Sequence, residues 1–136
     1  MTPTEKINTE SGIVLFVQKR TWEDQAEMVI RAEGGQERFV LHWGFKREPD
    51  GPWEVPPKQN WPSGSNPFDH AALQTPLDPA GGEVTIRIDL RAGLRFLDFV
   101  LFFPSEGHWD NNLGRNYRID IPAQPAPPSS GPAAPL

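Results

Sequence analysis

Hydrophobic residues recur at every second position through much of this chain. From Glu83 to Leu90, Val84, Ile86, Ile88 and Leu90 point one way while Thr85, Arg87 and Asp89 point the other. A side-chain period of two belongs to a strand with one buried face. Arg38 to Lys46 alternates likewise, with Phe39, Leu41, Trp43 and Phe45 on one face and Val40, His42, Gly44 and Lys46 on the other. Arg115 to Ile121 aligns Tyr117, Ile119 and Ile121, and Ala26 to Ala32 aligns Met28 and Ile30. Gly12 to Gln18 and Leu94 to Phe103 are apolar runs of strand length. The pattern predicts Lys19 to Asp24 as the loop of the first hairpin, Gly34-Gly35 as a turn, and a helical turn only at Asp69 to Gln74. Short strands between Gly/Pro turns predict an all-β, antiparallel β-sandwich.

Composition adds the boundaries. The 136 residues suit one domain with one core. The 16 prolines and 12 glycines exclude a helical protein and gather between Pro49 and Pro79 and from Pro122 onward. Residues 122–136, rich in Pro, Ala and Ser, hold too little apolar surface to fold and read as a semi-rigid linker. The expected organisation is a flexible segment over 1–11, a sandwich over 12–121, and a linker or disordered tail leading to a covalently linked domain. No run reaches the roughly 18 apolar residues of a membrane helix, and the first residues lack a secretory signal's apolar stretch. A cytoplasmic protein, or an excised domain of one, is expected.

The chain has no cysteine, which excludes disulfides and zinc–thiolate sites. A net charge of −5, with basic residues scattered among acids, argues against nucleic acid as a partner. His42, His70 and His108 lack metal-ligand spacing. Asp110-Asn111-Asn112-Leu113-Gly114 misses the calcium-loop pattern and its terminal Glu. No nucleophile elbow, phosphate loop or dinucleotide fingerprint is present. No carboxylates stand out as an acid and base pair, so no enzyme activity and no cofactor are expected.

What remains is aromatic. His42 points away from the face that Leu41 and Trp43 give to the core, and Gly44 beside it leaves room for a ligand. Trp43 itself belongs to the core. Trp53 lies on a proline-rich loop without strand or helix period, where a ring either plugs the core edge or offers its face; Trp61 has the same ambiguity. Trp109 is flanked by Gly107-His108 and Asp110-Asn111-Asn112, in a turn between strands. That turn is ordinary backbone chemistry or a stacking platform with an amide beside it, and both can hold at once. Flat rings next to polar side chains suit a sugar, with apolar faces and a hydroxyl rim. The other use of such exposed aromatics is as anchors of a protein–protein interface.

Leu41-His42-Trp43-Gly44, then Trp53 and Pro56-Pro57, Leu73-Gln74-Thr75-Pro76, Phe99-Val100-Leu101, and Trp109 through Tyr117 occur in an order that resembles a known family. It is that of the starch-binding modules at the front of α-glucan, water dikinases and plastidial α-amylases. The resemblance covers about residues 12–121. It implies an immunoglobulin-like sandwich that binds α-1,4-glucan or maltooligosaccharide without cleaving it, linked to a glucan-active enzyme. Carried over by motif, the binding residues are His42, Trp53 and Trp109, with Trp61 the alternative to Trp53. Asn112 and Lys46 join them by proximity.

Overall fold

The strands that the alternation predicts form, and they stack into two antiparallel sheets in a computed structural model that describes residues 4–123. Along the chain they are β1 (Thr4–Asn8), β2 (Val14–Trp22), β3 (Gln25–Glu33), β4 (Phe39–Lys46), β5 (Asn66–Pro67), β6 (Leu73–Leu77), β7 (Glu83–Asp89), β8 (Phe96–Phe103), β9 (His108–Asp110) and β10 (Tyr117–Asp120). One sheet has the order β1-β2-β3-β7. The other runs β10-β8-β4-β6-β5, with β9 alongside the second half of β8.

The inner faces meet as the period of two requires. Leu15, Val17, Met28, Ile30, Ile86 and Ile88 from the first sheet pack against Phe39, Leu41, Trp43, Phe45, Leu97, Phe99 and Leu101 from the second. Trp43 is completely buried, and its Nε1 donates to Thr75 Oγ1 at 2.9 Å, which satisfies the one polar atom that burial would have stranded.

Three local expectations are corrected. Residues 1–11, expected to be flexible, contain β1, which completes the free edge of β2 from Thr4↔Gln18 to Asn8↔Val14 and sends Ile7 against the core. The first hairpin has no six-residue loop. β2 continues to Trp22, which pairs with Gln25, because Lys19 and Arg20 find Glu5 and Glu27 as ionic partners across the strands. The turn is only Glu23-Asp24, with Glu23 left-handed at φ 54°. Asp69 to Gln74 is not helical. Asp69 Oδ1 accepts from the Ala71 and Ala72 amides at 2.8 and 2.9 Å, closing a tight bend that delivers Leu73 into β6. The linker expected over 122–136 lies, from residue 124 on, outside the described residues.

Candidate functional site

The outer face of the larger sheet carries the chemistry. Register sets its rows: Pro76, Val40, Phe102 and Trp109 lie across β6, β4, β8 and β9. Asn66, Gln74, His42 and Val100 form the next row, and Gly44, Asp98 and Arg118 the one beyond. His42 stands between rings. Its centroid is 5.7 Å from Trp53, 4.8 Å from Phe68 and 5.2 Å from Trp109, the last two edge-on. Trp109 lies tilted over Phe102 at 4.4 Å and remains 41% exposed. The structure therefore brings His42, Trp53 and Trp109 into one cluster, although β9 lies more than fifty residues beyond β4 and the proline loop that follows it. Trp109 is on an edge strand rather than in the turn itself.

Gly44 has a different role from the one expected. A Cβ there would sit 2.7 Å from the Ala71 carbonyl oxygen and 3.0 Å from Trp53 Cβ and Cε3. The space belongs to Trp53 and the Asn66–Ala72 segment, which meet above the glycine, not to a ligand. The Trp53 loop is tied at both ends. Phe45 and Glu54 exchange backbone hydrogen bonds of 2.8 Å each, and Arg47 forks onto the Glu54 carboxylate at 2.8 and 2.9 Å. At its start, Lys46 Nζ and Arg118 Nη2 both donate to the Pro49 carbonyl at 2.7 Å.

Lys46 and Asn112, expected beside the rings by proximity, are engaged elsewhere. Lys46 is buried at 8% exposure, 3.7 Å from the buried Asp98 carboxylate, so it holds the loop instead of facing a ligand. Asn112 is left-handed at φ 56°; its Nδ2 donates to the Asn116 carbonyl at 2.9 Å and its amide to Asp110 Oδ1 at 3.1 Å. It builds the turn. Trp61, the alternative to Trp53, packs against the core and donates Nε1 to the Pro56 carbonyl at 2.9 Å.

Asp110 secures the base of Trp109. Its carboxylate accepts from the Ser11 amide and the Tyr117 hydroxyl, both at 2.9 Å, as well as from Asn112. Burial alone would raise its pKa, but those donors together hold it below the ordinary carboxylate range. Tyr117 is pushed up to about 12, first by burial and then by the Asp110 carboxylate it donates to.

Burial lowers the pKa of His42, against the attraction of Asp69. Gln74 Nε2 lies 3.2 Å from Nδ1; with the amide donating, Nδ1 accepts and Nε2 carries the proton. Because the folded pKa is depressed, the unfolded chain takes up this proton first as the pH falls. The neutral ring's contribution to stability is complete above about pH 6.5 and is lost as the pH drops through the folded value. Urea unfolding between about pH 7.5 and 5 should show a steeper loss in the parent than in His42→Gln. Equal pH slopes in the two proteins would refute the assignment.

Motif reasoning missed Phe68, Phe102 and Gln74. A signal existed for one of them: β8 breaks its alternation, placing Val100 and Phe102 outward, and apolar residues on an outer face mark something that covers them. Phe68, exposed in a polar bend, had no local signal.

Stacked antiparallel sheets with one aromatic outer face define an immunoglobulin-like β-sandwich module. Residues 3–121 match the family described as the Ig-like N-terminal domain of alpha-glucan water dikinase 1, and the chain belongs to that family. It is 26% identical over 121 residues to alpha-glucan water dikinase 1, chloroplastic, of Arabidopsis thaliana, covering 88% of this chain and 8% of the relative. It is also 26% identical over 130 residues to alpha-amylase 3, chloroplastic, of the same plant, covering 88% of this chain and 14% of the relative. The chloroplastic dikinase of Citrus reticulata is 22% identical over 122 residues, covering 88% of this chain and 8% of the relative. The chain thus spans a small fraction of these proteins. All three relatives carry the description chloroplastic, which overturns the expectation of a cytoplasmic protein. No solved structure matches the chain significantly.

Proposed function

We propose that this domain is a noncatalytic module that binds α-1,4-glucan, such as starch, glycogen or maltooligosaccharide, and brings a covalently linked glucan-active enzyme to it. The observation that carries the reading is the convergence of Trp53 and Trp109 on His42, on a sheet face that also carries Val40, Val100 and Phe102. Rings tilted to each other can follow a curved glucan. The similar dikinases and amylase are named for α-glucan chemistry, which supports the same ligand class. Each stacked ring contributes about 1–3 kcal/mol, by analogy with bases on aromatics. Less the association cost, this gives a micromolar to millimolar site, in the range of about −4 to −8 kcal/mol. Tethering to an enzyme makes such a site effective through local concentration.

Titration of the domain with maltoheptaose tests this. Trp53→Ala and Trp109→Ala should each weaken binding by about tenfold or more while leaving the far-UV spectrum and melting cooperativity close to the parent. Binding unchanged in both variants would reject the site. A parent that ignores maltoheptaose but self-associates in sedimentation would favour a protein interface instead.

A further inference from the structure

We propose that Phe68 is a third ring of the glucan site, and that the corner it makes with Trp109 selects a curved α-linked chain over a flat β-linked one. The inference rests on the glucan-binding reading above and deepens it. Phe68 is 56% exposed, more than any of the tryptophans, and no sequence motif marks it. Its ring meets that of Trp109 at 82°, with centroids 6.5 Å apart, and both stand edge-on to His42.

The ring is held in place although it is exposed. Asn66 and Pro67 pair with β6, the Phe68 amide donates to the Ala72 carbonyl at 2.9 Å, and the Asp69 carboxylate closes the bend beyond it. A ring ordered before a ligand arrives loses little further freedom on binding, which favours a recognition role over incidental exposure. Its angle then sets the ligand. Successive units of a β-1,4-glucan lie in a flat ribbon and stack on near-coplanar platforms. Successive units of an α-1,4-glucan turn relative to one another and can lie against faces set at a steep angle. Beside the corner, Asn66, Gln74 and His42 form a polar row across β5, β6 and β4. This row, rather than Asn112 or Lys46, supplies the hydroxyl partners.

The test compares maltoheptaose and cellohexaose binding to the parent domain, Phe68→Ala and Phe68→Leu. The parent should bind maltoheptaose and discriminate against cellohexaose. Phe68→Ala should lose about tenfold in maltoheptaose affinity, the effect of one stacking ring, and its preference for the α-linked sugar should shrink. Phe68→Leu, which keeps apolar bulk without a flat face, should behave like the alanine variant. The ring is exposed, so the melting temperature should stay near the parent's and separate binding from folding. Parental affinity and selectivity in Phe68→Ala would overturn the proposal, and so would equal losses for both sugars. Failure of the glucan-binding reading itself shows differently, as a parent domain that takes up neither oligosaccharide.

Discussion

Asp98→Ala should destabilise the domain by about 3 kcal/mol, toward the lower end of the cost of breaking a buried ion pair because Arg118 retains some solvent. Asp98 is 3% exposed on the outer face of β8 and stands between two converging cations, so its loss would leave Lys46, now at 3.7 Å, and Arg118, now at 2.7 Å, facing each other. Both cations also bind the Pro49 carbonyl at 2.7 Å, so the repulsion acts directly on the loop that carries Trp53. Maltoheptaose affinity should therefore fall together with stability. Urea unfolding followed by tryptophan fluorescence measures the first effect and titration below the transition the second. Adding Lys46→Met should recover part of the loss, because the buried unpaired charge disappears with it. A single variant within about 0.5 kcal/mol of the parent, the range of ordinary surface changes, would show that the network contributes nothing.

Gly44→Ala should cost about 1–3 kcal/mol, the usual penalty of forcing a methyl into a packed region. It should weaken glucan binding disproportionately. The new Cβ would lie 2.7 Å from the Ala71 carbonyl oxygen, a backbone atom that cannot rotate away, and 3.0 Å from Trp53. Relief requires the Trp53 loop or the bend after Phe68 to lift, and either movement separates rings that now surround His42. If the space above Gly44 served a ligand alone, the same substitution would remove binding and leave stability at the parental level. A urea midpoint and a maltoheptaose titration on the same variant separate these cases.

These expectations depend on contacts of very different legibility. Alternation in Arg38 to Lys46 and Glu83 to Leu90 revealed the strands and sent Trp43 inward and His42 outward, because a strand's side chains alternate whatever surrounds it. The same parity places Lys46 on the face of His42, but it does not show what the ammonium meets there. Its partners, Asp98 and the Pro49 carbonyl, come from β8 and the proline loop. Asn112 is a candidate only by its proximity to Trp109 in sequence, and its left-handed turn uses the side-chain amide to bind its own backbone.

The sequence by itself determined the two-faced strands, the aromatic and aliphatic core, and the outward position of His42, since all three follow from a local period of two. It also carried the family through the order of its motifs. Only the tertiary structure decided that Trp53 rather than Trp61 stands beside His42, that Gly44 makes room for a tryptophan and a carbonyl, and that Phe68 joins the cluster. Those outcomes depend on sheet order, which places β6 and β8 on either side of β4 and so decides which loops close over its outer face. Long-range pairing of that kind leaves no periodic trace in the segments it joins.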